Sequence, residues 1–192
     1  MWGSLTGTLD GNRVVHEFGY VGLPDTYRII IVAESGSVSA SNVYTRTALD
    51  SSVKFDYATG EVIIPSVIIS YLVQFAITFL LTILIEGIIL LLFRIELKEN
   101  WKVFLLVNFI TQIVLTFTVG ITLVKAGVIS AYIIQIPMEL IILVAETLVF
   151  RKYLVAVSNR RKVIYVIVAN LVSWAFGAFF LNYMFLLLSR IS

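Results

Sequence analysis

Four long apolar runs occupy most of residues 65–192 and limit this chain to very few folds. They cover about residues 67–93, 103–124, 129–150 and 163–188. A helix needs about 20 apolar residues to cross the ~30 Å hydrocarbon core of a bilayer. The whole chain is 59% apolar and 14% charged, whereas a soluble domain is about 45–50% apolar and 25% charged. We therefore predict a membrane all-α fold, a four-helix transmembrane bundle, and exclude a soluble enzyme.

Residues 1–64 differ from the rest in both charge and pattern. They carry four basic and seven acidic residues, a net charge of −3, whereas residues 65–192 carry ten basic and five acidic residues, a net charge of +5. The β-branched segment 27–33 and the alternating segment 53–57 are typical of strands, and turns are expected at 10–11, 22–25, 35–36 and 59–60. We predict a small β-rich domain over 1–64, followed from Pro65 by the helical domain 65–192.

The basic residues predict an orientation. Loops 94–102 and 151–162 hold eight Lys and Arg residues, whereas the opposite side has only Lys125, in loop 125–128, and Arg190. Because cytoplasmic loops are enriched in Lys and Arg, we expect both basic loops in the cytoplasm. The N-terminal domain and the C-terminus then lie outside a multi-pass protein of the plasma (cytoplasmic) membrane.

Export of the N-terminal domain raises a question about the start of the chain. A signal peptide has a basic region followed by an apolar region, and residues 1–7 show neither. Either the first span draws the domain across the membrane, or residue 1 lies inside a longer precursor. We favour the second explanation.

A layer of polar side chains is predicted inside the membrane. With a rise of ~1.5 Å per residue from the nearest basic loop, the polar residues of all four spans come out about 8–18 Å deep. Ionisable residues at such depth are rare and tend to be paired or functional. The candidate site consists of Glu86, Asn108, Gln112, Glu139, Glu146, Asn170 and Ser173.

Two interpretations of this layer stay open. Polar side chains in membrane helices commonly hold helices together by hydrogen bonds, and the glutamates could equally form a proton, ion or substrate site. In the first span, Ser66, Ser70, Gln74, Thr78, Thr82 and Glu86 are spaced by four residues. Since four residues turn about 40° beyond a full helical turn, this stripe winds around the helix and cannot face one neighbouring helix throughout.

The composition disfavours most kinds of catalytic site. The chain has no cysteine and a single histidine, His16, which excludes thiolate and His-rich metal sites. No phosphate-binding loop or nucleophile triad occurs. We therefore expect no cofactor, no metal site and no nucleic-acid partner, and the sequence does not favour an enzyme.

Short segments of the helical half resemble a group of uncharacterised four-span membrane proteins of Gram-positive bacteria. The segments are LTILIEG (81–87), VNFITQ (107–112), ELIILVAE (139–146) and VANLVS (168–173), and residues 27–55 are similar to the end of the group's β-rich region. The resemblance implies a signal peptide, an extracytoplasmic β-rich region and a four-helix bundle. It implies no activity.

Three functions are consistent with these features. The first is a non-enzymatic accessory or sensory module whose exterior domain contacts a ligand or partner, with the bilayer and a membrane protein or a second copy as partners. The second is a small ion- or proton-coupled transporter that uses Glu86 and Glu139. The third is a membrane enzyme in which the glutamates hold a divalent metal.

Overall fold

The computed structural model of the protein describes residues 7–11, 13–18, 24–33, 35–50 and 52–191. Helices dominate from residue 67 onward: α1 (Val67–Leu92), α2 (Leu97–Leu115), α3 (Ile121–Tyr153) and α4 (Asn159–Ser189). A π-helical segment, Thr116–Gly120, joins α2 to α3 without a break. Three helical segments, 67–92, 97–153 and 159–189, are long and apolar enough to cross a membrane.

The structure corrects the expected separation of the second and third spans. We predicted two helices, 103–124 and 129–150, with a loop at 125–128, but the structure has a kink at a single residue in place of that four-residue loop. Only Gly127 leaves the helical range, with φ 81° and ψ −178°. No proline lies in this stretch, so the change in helix direction comes from Gly127 alone.

The segment 97–153 folds back on itself at Gly127. The side-chain oxygen of Asn100 accepts a hydrogen bond from the backbone N–H of Val155 at 2.9 Å. A straight helix would hold these two residues about 80 Å apart. Gly127 lies midway between them, and its conformation is one that only glycine adopts readily. The two halves of the segment therefore run side by side.

The N-terminal region consists of short antiparallel hairpins. The pairs are β1 (Thr8–Asp10) with β2 (Arg13–Val15), β3 (Thr26–Tyr27) with β6 (Tyr44–Thr45), β4 (Ile30–Val32) with β5 (Val38–Ala40), and β7 (Lys54–Phe55) with β8 (Val62–Ile63). Gly11, Gly36 and Gly60 have positive φ at the predicted turns. The turn at 22–25 lies partly outside the described residues. Within the described part of 1–64, only Ser41 and Ala48 are buried, so these hairpins share no core of their own.

One long hairpin spans the middle of this region. The register of β3 with β6 differs from that of β4 with β5 by one residue, which marks a bulge. Ser41 fills the bulge: its backbone N–H donates to the carbonyl of Ile29, and its hydroxyl accepts from the N–H of Ile29, both at 2.9 Å. An ion pair of 3.0 Å between Arg46 and Asp25 closes the open end.

The N-terminal region is attached to one end of the helical domain, which we call the Gly127 end. Ala48 is buried there in an apolar cluster that includes Leu123, Val124 and Leu188. The N–H of Leu49 donates to the carbonyl of Val124 at 2.9 Å. The hydroxyl of Ser52 donates to the carbonyl of Ser189 at 3.1 Å, so the last turn of α4 lies at this end too.

The opposite end, which we call the basic end, carries the loops 94–102 and 151–162. A second apolar cluster lies there and includes Leu90, Phe104, Phe150 and Tyr165. Asn100 joins the two loops through Val155. The two basic loops therefore lie together and away from the N-terminal region, as the predicted topology requires. Which end faces the cytoplasm stays a prediction.

Candidate functional site

A polar cavity lies between the two apolar clusters. It has a volume of about 90 Å³, which is room for several water molecules. Every helical element contributes to its lining, and most lining side chains are polar. The polar lining residues are Gln74, Thr78, Thr82 and Glu86 from α1, Thr111 and Gln112 from α2, Gln135, Glu139 and Glu146 from α3, and Asn170 and Ser173 from α4.

The structure brings the sequence-predicted site residues together. Glu86, Gln112, Glu139, Glu146, Asn170 and Ser173 all line this cavity. Asn108, the seventh, is fully buried and its side chain lies within hydrogen-bonding reach of the Glu86 carboxyl. The seven predicted residues therefore lie together in and beside one cavity. Whether it serves as structural hydrogen bonding or as a binding site is a separate question.

Glu146 has the best-defined partners of the three carboxyl groups. The amide nitrogen of Asn170 donates to its Oε2 at 2.7 Å and also to the backbone carbonyl of Val166 at 3.0 Å. The Thr111 hydroxyl also lies within hydrogen-bonding reach. Glu146 therefore joins α2, α3 and α4 at one point.

Glu86 also lines the cavity and is less well satisfied than Glu146. It is 3% exposed, and its Oε2 has no hydrogen-bond partner. Its carboxyl is close enough to Glu146, to Glu139 and to the Tyr165 hydroxyl for electrostatic interaction. Tyr165 is fully buried and its hydroxyl also has no partner. Two carboxyl groups and a phenol therefore lie close together at the basic end of the cavity.

Glu139 differs from the other two glutamates in its exposure. It is half-buried, and the Gln135 side chain is its hydrogen-bonding neighbour. It lines the cavity but is reached from the outer surface of the helical domain as well. Among the three glutamates it is the most exposed.

Most of the buried atoms around the cavity that lack a hydrogen-bond partner are hydrogen-bond acceptors. Oε1 of Gln74, Oε2 of Glu86 and Oε1 of Gln135 have no partner, and all three side chains line the cavity. Each unpaired buried polar atom costs about 1–3 kcal/mol unless something binds it. Three oxygens around one space need donors or a cation, so water, a proton or a small cation is the guest that this chemistry fits.

The carboxyl groups do not form a metal centre of the usual kind. Within the described residues, no three His, Cys, Asp or Glu side chains approach closely enough to hold one metal ion. Glu86, Glu139 and Glu146 interact through their charges without converging on one point. The geometry gives the metal-enzyme hypothesis no support.

Several residues of the site were not among the seven candidates chosen from the sequence. Gln74 fits against Gly120, where a β-carbon would overlap its amide group, and Gln112 donates to the Thr78 hydroxyl at 2.6 Å. Gln74 and Thr78 do belong to the stripe of polar residues spaced by four on α1. Tyr165 and Thr111 had no such signal, because their role depends on which helix faces which.

Comparison with known protein families, with curated proteins and with solved structures finds no match for this chain. The resemblance to Gram-positive membrane proteins therefore stays an inference from short segments, and the function is argued from the geometry of the site.

Proposed function

We propose that this chain crosses the membrane four times and handles protons or a small cation in its interior, as an ion- or proton-coupled transporter. The fold-back at Gly127 supports four crossings, because residues 97–126 and 128–153 each exceed the ~20 residues that one crossing needs. The basic loops at one end support a cytoplasmic position for that end.

Single cysteines test this topology, since the chain has none of its own. Cysteine replaces Thr59 or Lys125 towards the Gly127 end and Lys98 or Ser158 at the basic end, all of them exposed in the structure. In intact cells, a membrane-impermeant maleimide is expected to label the first pair and to label the second only after lysis. Labelling of Lys125→Cys together with the basic-end positions would exclude the fourth crossing.

The transport proposal depends on one observation: unpaired buried oxygens of Gln74, Glu86 and Gln135 line one polar cavity between the helices. Oxygens that no protein donor reaches need a guest in the cavity, because an unsatisfied network is less stable than an apolar core. The apolar clusters at both ends separate the cavity from the two ends of the helical domain. This separation supports the proposal of an ion-binding site in the interior of the helical domain.

Flux through proteoliposomes tests the transport proposal. Glu86→Gln and Glu139→Gln each keep a hydrogen-bonding side chain of nearly the same size, so we expect both variants to fold and to lose proton or sodium flux. Glu96→Gln, exposed at the basic end, is the matched control and should keep full flux. Unchanged flux in both cavity variants would leave the layer as structural hydrogen bonding.

A second function, the accessory or sensory module, is favoured by a different observation. On the long hairpin, Ile30, Val32 and Val38 lie on one face and are 51–66% exposed. Apolar faces of this kind on exported domains mark interaction sites, and the hairpin's outer edges are unpaired within the described residues. A partner protein or a second copy would cover this face.

Mild-detergent purification from the native membrane tests this second function. We expect a stoichiometric partner, or a dimer, with the unchanged chain. The double substitution Ile30→Ser and Val32→Ser should release it, whereas Leu9→Ser, which is more exposed but lies on another hairpin, should not.

A further inference from the structure

A second concave surface lies at the basic end, between the end of α1 and the start of α4. This groove has a volume of about 560 Å³ and is lined by Leu92, Phe93, Arg94, Arg160, Arg161 and Ile164, with Ser158 beside them. It is separate from the polar cavity. Its charged residues are three arginines, and its lining contains no acidic side chain.

The groove combines a cationic rim with an apolar wall. Leu92 is 75% exposed and Ile164 is 42% exposed, and both belong to apolar faces that continue along α1 and α4. In a bilayer this places the arginines at the level of the headgroups and the apolar wall at the level of the acyl chains. An amphiphile with an anionic head matches both parts.

The arginines of the groove have no acidic partners. Among the described residues there is one salt bridge, between Arg46 and Asp25, and it lies in the N-terminal region. Guanidinium groups bind phosphate oxygens in a bidentate manner, so three of them around one groove form a phosphate-binding surface.

Two different roles are found among the consecutive basic residues Arg160, Arg161 and Lys162. Lys162 is buried, and its ammonium donates to the carbonyl of Arg151 at 3.1 Å at the end of α3. It therefore stabilises a helix terminus and does not face the groove. Arg160 and Arg161 are exposed and line it.

Arg94 occupies a backbone position that usually belongs to glycine. It has φ 54°, its N–H donates to the carbonyl of Leu91, and the N–H of Ile95 donates to that of Leu90. This is a Schellman motif with arginine at the left-handed position. Glycine would be the less strained residue there.

We propose that this groove binds the phosphate headgroup of an anionic phospholipid, with Arg94, Arg160 and Arg161 on the headgroup and the acyl chains along Leu92 and Ile164. The proposal requires that the chain lies in a bilayer and is independent of transport through the polar cavity. Flux and lipid binding can therefore fail separately.

Native mass spectrometry of the detergent-purified chain tests the site. Phosphatidylglycerol is expected to stay bound at a stoichiometry of one, and phosphatidylcholine is not. Arg160→Gln with Arg161→Gln should weaken phosphatidylglycerol binding by about fivefold for each arginine removed. The matched control is Arg151→Gln with Lys152→Gln, which removes the same charge from the same end outside the groove and should leave binding unchanged.

Arg94→Gly separates binding from folding. The substitution removes the guanidinium and relieves the left-handed backbone, so the thermal midpoint should stay or rise while lipid binding falls by about fivefold. Three results would overturn the proposal: equal loss of binding in the control pair, equal retention of phosphatidylcholine, or displacement of the lipid by millimolar inorganic phosphate, which would mark a soluble oxyanion as the occupant.

Discussion

At the residue scale, single side chains replace backbone hydrogen bonds that the loops cannot make. The amide nitrogen of Asn100 donates to the carbonyls of Glu96 and Val155, and its oxygen accepts from the N–H of Val155. Asn100 is 1% exposed. An amide side chain can pair with both the N–H and the carbonyl of one residue at once, so Asn100 fixes where the two basic loops meet.

Asn100→Ala is expected to destabilise the helical domain by about 1–3 kcal/mol, because it removes the partly buried hydrogen bonds of Asn100 with Glu96 and Val155. Thermal unfolding in one detergent measures this. Asn159→Ala, exposed at the start of α4, is the control and should have a much smaller effect. Equal effects of the two substitutions would contradict the structural role of Asn100.

At the element scale, glycines decide how closely the helices approach and where they turn. Gly127 combines φ 81° with a close neighbour: a β-carbon there would lie 2.8 Å from Cδ2 of Leu49. Strain and steric overlap therefore act together at the one residue that reverses the chain.

Gly127→Ala is expected to destabilise the fold by about 1–3 kcal/mol from backbone strain alone. Adding Leu49→Ala removes the steric overlap and should recover only part of the loss, because the strain persists. Gly87→Ala is the control, since its β-carbon would make ordinary contacts of 3.7 Å with Phe104 and alanine is favoured within a helix. Full recovery in the double variant would mean that strain at Gly127 is negligible.

The contact between Gly120 and Gln74 gives a second prediction at this scale. Gly120→Ala should displace the buried Gln74 amide and cost about 1–3 kcal/mol, whereas Gly177→Ala, with its nearest neighbour Nε2 of Gln135 at 3.7 Å, should cost less. Adding Gln74→Ala to Gly120→Ala should restore stability in a double-mutant cycle. Additive effects would contradict direct contact between these residues.

Much of the polar layer was predictable because helical geometry leaves little freedom. Once the basic loops mark one end, the fixed rise per residue places Glu86, Glu146 and Asn170 at similar depths. The stripe on α1 does wind around the helix, yet Gln74, Thr78, Thr82 and Glu86 line one cavity. The cavity lies where all the helices meet, so different members of the stripe face different neighbours around it.

The parts that the sequence could not predict depend on contacts between distant segments. The tight kink at Gly127, in place of a loop over 125–128, follows from the geometry of a single glycine, which the hydrophobic periodicity does not predict. The contact of Ala48 and Leu49 with the Gly127 end follows from where the N-terminal region returns to the helices. The expected β-rich domain proved to be hairpins that gain burial only through this contact.

At the scale of the whole molecule, the N-terminal region divides into a part that completes the helical domain and a part that faces outward. Ala48, Leu49 and Ser52 contact the Gly127 end, whereas the apolar face of the long hairpin is exposed. The two parts are consecutive in sequence, so truncation separates them.

Removal of residues 1–46 should leave the thermal midpoint of the helical domain nearly unchanged. Removal of residues 1–53 should lower the free energy of unfolding by about 1–3 kcal/mol, because it uncovers the cluster around Leu123 and deletes the hydrogen bond to Val124.

The shorter truncation, of residues 1–46, also distinguishes the two proposed functions. A transporter keeps its flux without residues 1–46, since the cavity residues are all in the helices, whereas an accessory module loses its partner. Retained flux with a lost partner would assign transport to the helices and recognition to the hairpin, and loss of flux would show that the outward region takes part in ion movement itself.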